Sequence, residues 1–397
     1  MVKLLTRNFK DVLKPRNAAR FFARLLAWTA ILSCLTWLVS RVFGDLNLPL
    51  QFAYWIHTWA YALCALTLAT LSLGFALLGR PAISDPRVYK NPLARTPVSR
   101  WPRRAACIAS IALFTFTLVH DWRMANALAS NAKASGNTVT IANWNPTITF
   151  MNTFADQVVS LDADIAFLAN PPALVDWPTL RDAFTPHKDA LRSRILTVIS
   201  RYRVIRWGST PLNIKGSRPH VTRWEGGGKV NIDVGHALWV EFDTTETLGK
   251  PLVVWFIDMP SDPLISRHTM FIQAAATMRD WRGPAFARGS IDQDVPLRDS
   301  DMIDRFGQDG FPPPDVILGD FNTPRHSPSV NALVPSTMHD AFDRAGFGPM
   351  GTWPRDTALF AIDQAHVAPW LRVIEYDVRN LDAGMHRAQL IEITPSK

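Results

Sequence analysis

The chain has 397 residues, of which 48% are hydrophobic and 19% charged, and its net charge is +8. The length allows more than one structural unit, and the composition is too apolar for a wholly soluble chain. The positive charge is spread unevenly, which directs attention to membrane segments.

Residues 1–24 carry seven Lys or Arg and one acid, and the first 20 read as a basic cytoplasmic terminus. The apolar run "FFARLLAWTAILSCLTWLVS" follows, close to the roughly 20 residues that a membrane-spanning helix needs. A second run, Phe52–Leu78, holds no Asp, Glu, Lys or Arg. A third, "AACIASIALFTFTLVHDW", is shorter. A cleaved leader does not suit the first run, because its flank is long and basic and no small-residue cleavage site follows it. Three retained spans are therefore expected over residues 21–123, with a basic loop at 80–104. The excess of Lys and Arg in residues 1–24 and 80–104 places both on the cytoplasmic side. A third crossing then puts everything after about Ala125 on the extracytoplasmic side. His57, inside the second run, reads as an interfacial or helix-bonding residue.

Cys34, Cys64 and Cys107 all fall in the apolar runs. The rest of the chain lacks cysteine, which excludes a disulfide framework there and suits an oxidising compartment.

Residues 124–137, "MANALASNAKASGN", are small and polar and read as a juxtamembrane linker before a domain over 138–397. "TVTIANWNP", "ADIAFLANPP", "HALWVEFDT", "PLVVWFIDMP", "DVILGDFN", "TALFAIDQAHVA", "LRVIEYDVRN" and "HRAQLIEITP" have strand character. "SRILTVISRYRVIRW" alternates apolar and basic residues and reads as a strand with one wet face. "TRWEGGGKVNIDV" reads as a hairpin. Helical spacing marks "ITFMNTFADQVVSLD" and "ISRHTMFIQAAATMRDW", and "PSTMHDAFDRAG" reads as a short helix closed by Gly346. Many strands with few helices between them imply stacked sheets with helices outside, a layered α/β (α+β) sandwich.

Asp and Asn are poor strand formers, yet "DVILGDFN" ends on Asp320 and Asn322. This segment resembles the Gly-Asp-(Phe/Leu)-Asn signature of the endonuclease/exonuclease/phosphatase superfamily, built like pancreatic deoxyribonuclease. Other segments follow in that family's order. "TIANWNP" resembles its opening strand, "ADIAFLANPP" the strand that normally ends in Gln-Glu, and "VISRYRVI" its Ser-Arg-Tyr-Pro strand. "GTWPRDTALFAIDQAHVA" and "AGMHRAQLIEI" resemble its last two signatures. The resemblance covers about residues 138–394.

It implies a DNase I-like four-layer sandwich and metal-dependent hydrolysis of a phosphodiester or phosphomonoester. Asp320 would orient or deprotonate the attacking water, and Asn322 would donate to the phosphate. Asn145 would help hold the nucleophile. His386 would contact the scissile phosphate or move a proton, with Asp363 fixing its tautomer. A divalent ion, Mg2+ or Mn2+, would neutralise phosphate charge.

The departures concern the metal. Asn170 stands where the family has a metal-binding Glu, and Met385 where an Asp precedes the terminal His. An amide is a neutral ligand, and a thioether is a poor one for a hard cation. Asp258, where the family often has a His, would supply a replacement carboxylate beside Asp320. The alternative is a catalytically impaired relative that binds a phosphorylated ligand or a protein, and Asn170 and Met385 favour it. A transporter does not fit three spans without a paired intramembrane charge.

The tether and topology favour lipid-linked phosphates, phospholipids or extracellular nucleic acid as substrate over genomic DNA. Arg192, Arg194, Arg201, Arg203 and Arg206 form a stripe that reads as a solvated strand face rather than a nucleic-acid or lipid-headgroup site. Trp207, Trp224 and Trp239 read as core or hairpin packing. His268, His326 and His339 read as surface or packed residues.

Overall fold

A computed structural model of the chain describes residues 15–79, 101–128, 137–147, 153–172, 177–187, 189–216, 222–225, 228–231, 234–283, 285–286, 302–304 and 309–396. The basic stretches 1–14 and 80–100 and residues 129–136 of the expected linker lie outside the described residues. The chain divides into a helical unit, residues 1–44 and 49–121, and a sheet unit, residues 45–48 and 122–397.

Three helices of the helical unit are long and apolar enough to cross a membrane: Asn17–Phe43, Thr58–Leu78 and Trp101–Asp121. Many of their buried positions are small, with Tyr61 and Leu113 the large exceptions. Ala30, Ala69 and Ala106 meet in one cluster, and Ala23, Ala27, Ala62 and Ala65 are also buried. Side chains this small let backbones approach closely, and Ser72 Oγ donates to Ala23 O at 2.5 Å across the bundle. The large apolar residues point outward instead: Phe21, Leu25, Trp28, Leu32 and Leu35 are exposed. The second of these helices is shorter than the apolar run that encodes it. The chain breaks at Ile56 and His57, so Leu48–Trp55 forms a separate helix and His57 is the N-cap of Thr58–Leu78, outside its helical turns.

The sheet unit is the expected four-layer sandwich. One mixed sheet has six strands in the order β15-β16-β1-β2-β4-β3. These are Leu371–Arg379 (β15), Ala388–Pro395 (β16), Val139–Trp144 (β1), Ile165–Ala169 (β2), Leu196–Ser200 (β4) and Asp189–Ser193 (β3). The other has eight, in the order β11-β10-β5-β8-β9-β12-β14-β13. They are Met302–Asp304 (β11), Ala285–Phe286 (β10), Val204–Pro211 (β5), His236–Phe242 (β8), Leu252–Asp258 (β9), Val316–Asp320 (β12), Asp363–Val367 (β14) and His339–Asp340 (β13). Thr222–Glu225 (β6) and Gly228–Asn231 (β7) pair as the expected hairpin; the side chain of Trp224 lies outside the described residues.

Strand periodicity sorts the core. Ile141, Phe167, Val240, Val254, Phe256, Val316, Leu318 and Ile393 share the cluster between the sheets. Their out-of-phase neighbours Ala142, Trp144, Ala166 and Leu168 pack outward against Phe154, Val158 and Leu180 of the helices Phe154–Ser160 and Trp177–Asp182. Trp239, Ile257 and Ile317 pack outward against Met270, Phe271 and Ala274 of the helix Arg267–Arg279. Alternation of side chains across each strand thus gives each sheet one face for its partner sheet and one for helices. Trp207 and Trp239 are core residues, as their sequence context suggests.

Three local expectations change. "SRILTVISRYRVIRW" is two strands, not one: the chain leaves β4 at Ser200, turns through Arg201–Arg203 and enters β5 in the other sheet. Gly346 ends the helix Ala341–Ala345 in extended backbone (φ −81°, ψ 157°), not the left-handed region. Its use is space, since a Cβ there would lie 2.2 Å from Cδ2 of Phe342. Finally, Met124–Leu128 is a 3-10 helix rather than free linker, and Asn126 Nδ2 donates to Gly346 O at 2.8 Å.

Candidate active site

Register places three carboxylates side by side. Asp320 pairs with Asp258 across the parallel β12–β9 contact and with Asp363 across the antiparallel β12–β14 contact. Asp258 continues the inward phase of Val254 and Phe256, Asp320 that of Val316 and Leu318, and Asp363 that of Ala365 and Val367. All three therefore project between the sheets, at one end of the core. Buried His236 is next in the row, opposite Asp258 on β8.

Gly319 permits this row. Its φ of +142° suits glycine, and a Cβ there would fall 1.8 Å from Ile257 O on β9. Beyond Asp320 the chain turns sharply at Asn322, whose φ is +48°, a conformation that Asn tolerates. Asn322 N donates to Asp320 Oδ1 at 2.9 Å, and Asn322 Nδ2 to Met259 O at 2.7 Å. One amide proton expected to reach phosphate thus clamps the loop after β9 instead.

The six-stranded sheet supplies the facing groups. Asn145 follows β1 in its inward phase and donates from Nδ2 to Asp320 Oδ2 at 2.9 Å. Asn170 follows β2 at φ +51°; its Nδ2 lies 3.1 Å from Asp258 Oδ2 and 3.4 Å from Asn145 Oδ1. His386 precedes β16. Its Nδ1 lies 2.9 Å from Asp363 Oδ2, and its Nε2 lies 3.7 Å from Asp320 Oδ2. Every residue singled out from the sequence, Asn145, Asn170, Asp258, Asp320, Asn322, Asp363 and His386, is in this one constellation. Met385 is half-exposed at its edge, and its carbonyl accepts from Arg355 N at 2.8 Å.

Supporting groups were not legible in the sequence. Trp144 Nε1 donates to His386 O at 3.1 Å, and Asp363 N donates to Thr352 Oγ1 at 3.2 Å. Gln389 Nε2 lies 3.0 Å from Tyr376 Oη and 3.4 Å from Asp363 O. These contacts depend on residues distant in sequence, and none belongs to a short motif.

Electrostatics divide the roles. Burial, and then the neighbouring charge of Asp320, raise the Asp258 carboxyl well above its usual range. Burial and the Asp363 charge raise Asp320 to about 6, against the opposing effects of His386, Asn322 N and Asn145. Burial opposes charge on His386, but the carboxylates of Asp363 and Asp320 outweigh it and hold the ring at about 9. At neutral pH the site therefore holds an imidazolium beside Asp363 and an ionised Asp320, while burial and the Asp320 charge favour the neutral form of Asp258.

The donors fit a hard cation. Asn170 Oδ1 is buried without a hydrogen-bond partner among the described residues, and Nδ2 of the same amide lies 3.1 Å from Asp258 Oδ2. An all-oxygen set of this kind suits magnesium or manganese. Asp320, Asp363 and His386 also converge within 4.8 Å, but Nδ1 of His386 is already engaged by Asp363 Oδ2 at 2.9 Å.

The arginine stripe is largely neutralised. Arg201 pairs with Asp162 at 3.0 Å and Asp164 at 3.3 Å, and Arg203 pairs with Asp243 at 2.8 Å. Arg206 pairs with Glu241. His326 Nε2 lies 2.9 Å from Asp343 Oδ1, a packing role.

No family model matches the chain, and no curated protein sequence matches it. Solved structures with a similar fold include an endonuclease/exonuclease/phosphatase from Beutenbergia cavernae, 12% identical, with a TM-score of 0.40 over 66% of this chain and 72% of that one. A mannosyl-6-phosphatase from Bacteroides thetaiotaomicron is 15% identical, with a TM-score of 0.42 over 64% of this chain and 99% of that one. The inositol polyphosphate 5-phosphatase domain of a synaptojanin, solved with inositol (1,4)-bisphosphate and calcium, is 12% identical, with a TM-score of 0.36 over 64% and 84%.

Proposed function

The sheet unit is a DNase I-like sandwich, and from that premise we propose that the chain is a membrane-anchored phosphoesterase whose single active site is the constellation around Asp320. One observation carries the proposal: His386 is paired through Nδ1 with Asp363 while its Nε2 stands 3.7 Å from Asp320. A proton donor and a proton acceptor thus converge at one point between the sheets, the requirement for attack by water on a phosphoester.

Asp320 accepts the proton of the attacking water. Asn145 and the backbone N–H of Asn322 hold one lone pair on each of its oxygens and fix the carboxylate's direction. His386 donates from Nε2 to the phosphoryl oxygens or the leaving group, and Asp363 holds the ring in the required tautomer. Asp258, Asp320 and Asn170 Oδ1 would hold the divalent ion. When bound, that ion neutralises phosphate charge and polarises the ester. In this reading Asp258 replaces, from the neighbouring sheet, the carboxylate that Asn170 lacks.

The extracytoplasmic location is supported by the basic flanks and by the placing of Asp45–Leu48, which follow the first span, in the same unit as the residues that follow the third. A reporter fused after Ser135 tests the side. The pairing of Arg201, Arg203 and Arg206 with acids speaks against a phosphate site on that stripe, and the membrane tether favours a phosphate on or near a lipid as substrate. The rival reading, a phosphate-binding module without catalysis, draws on the Asn170 contact with Asp258, which occupies that carboxylate without a cation.

Turnover of bis(p-nitrophenyl) phosphate, p-nitrophenyl phosphate and a prenyl phosphate by the purified full chain, with Mg2+ or Mn2+, tests both. The double variant Asp320→Ala, His386→Ala is expected to lose at least about 10³-fold. Manganese binding, followed by its electron spin resonance, is expected to weaken at least tenfold in Asp258→Asn. Turnover equal in wild type and double variant would leave the binding module.

A further inference from the structure

Asp45 lies in the sequence between the first two apolar helices, yet it belongs to the sheet unit and is fully buried there. Its carboxylate accepts from Ser327 Oγ. It also accepts from Ser329 N at 3.1 Å and Ser329 Oγ at 2.8 Å. Ser327 and Ser329 bracket the start of the 3-10 helix Pro328–Ala332, only a few residues past Asn322. A buried carboxylate with three donors is a structural commitment, since a lone charge there would be costly.

The Ser327–Ser329 segment leads to the active site by contact. Val330 shares an apolar cluster with Phe321, Met270 and Phe271. The same helix, Arg267–Arg279, carries the buried Arg267, whose Nη1 donates to Pro260 O at 3.0 Å and whose Nη2 lies 3.5 Å from Ser261 O. Those carbonyls follow Asp258. The other side of that loop is held by Asn322 Nδ2 on Met259 O and by Met259 N donating to Asp320 O at 2.8 Å. Arg267 also feels the charges of both Asp320 and Asp45.

We propose that Asp45 is a positioning residue of the active site: by holding Ser327 and Ser329 it fixes the 3-10 helix, and through that helix and Arg267 the loop that sets Asp258 against Asp320. The proposal takes the site to be the one argued above, but it stands on contacts that exist without turnover. It also means that a fragment beginning after the third span lacks one of the site's own supports.

The test is backbone hydrogen exchange in the full chain in detergent, with turnover of bis(p-nitrophenyl) phosphate measured in parallel. In Asp45→Ala the amides of Met259 and Phe321 are expected to exchange at least tenfold faster than in wild type, while amides of β1 and β2 stay unchanged. Asp45→Asn keeps an acceptor oxygen and is expected to restore protection to within about threefold. The expected kinetic result is a fall in kcat with KM unchanged. Unchanged exchange at Met259 and Phe321 in Asp45→Ala, or an equal rise throughout both sheets, would overturn the proposal. Altered local exchange in a chain whose wild type never turns over would overturn the phosphoesterase reading and leave the positioning role standing.

Discussion

The two units solve opposite packing problems with the same residue types. The helical unit hides alanines and displays Phe, Leu and Trp, whereas the sheet unit buries Trp144, Trp239, Phe167 and Phe256 and sends charge outward. In water, burial of large apolar side chains drives association of elements. In hydrocarbon that drive is absent, and close backbone approach over small residues takes its place. The contrast explains why one chain reads as too apolar on average while neither unit is badly packed.

Deleting one large apolar group from each unit tests the contrast most directly. Phe167→Ala, in the core between the sheets, is expected to destabilise the sheet unit by about 3–5 kcal/mol. Leu32→Ala, on the outer face of the first span, is expected to stay within about 0.5 kcal/mol. Thermal unfolding in detergent with a fluorescent reporter on each unit reads both. Equal losses would mean that the outer face of the helices is covered by protein.

The candidate site supplies a second contrast, because it buries charge where the surrounding core buries Leu and Phe. The His386 ring rises from 6.5 to about 9 on folding. The folded chain therefore binds that proton more tightly than the unfolded chain. Its contribution, on the order of 3 kcal/mol, is complete below about pH 6.5 and lost as pH rises through about 9. Denaturant titrations of wild type and His386→Gln should converge across that window. Asp320, raised from 3.8 to about 6, gives the same sign in a lower window, which Asp320→Asn should remove. One further substitution sharpens the helical rule. Ala69→Leu should cost about 1–3 kcal/mol by forcing the helices apart, although it makes the segment more apolar.

Much of the layered fold was visible in the sequence because strand alternation survives wherever a strand has two distinct faces. The site was visible for a related reason: Asp320, Asn322 and Asn145 interrupt apolar strands at their ends, where propensity alone gives no cause. The break at Arg201–Arg203 was not visible, since alternation of apolar and basic residues runs through it unchanged. Nor was the late start of the second long helix, because apolar composition does not register the extended backbone at His57. Asn322, Arg267 and Asp45 show the deeper limit. Their partners are backbone carbonyls and serines, those of Asn322 and Asp45 from distant segments, and no local pattern announces them.

The Arg201–Arg203 turn has a counterpart. Among the described residues the chain passes between the two sheets there and at Ala368–Trp370, where β14 gives way to β15. Ser200 pairs with Ile165 and Val204 with Phe242, at the strand ends remote from Asn170 and Asp258. Val367 pairs with Val316, also far from Asp320. Both crossings thus stitch the sandwich at one end, like the spring of a clothes-peg, and the chemistry sits in the jaws. Asn145, Asn170 and His386 ride one jaw, and Asp258, Asp320 and Asp363 the other. A small change of angle at the stitched end would therefore displace those six side chains more than any group nearer the crossings.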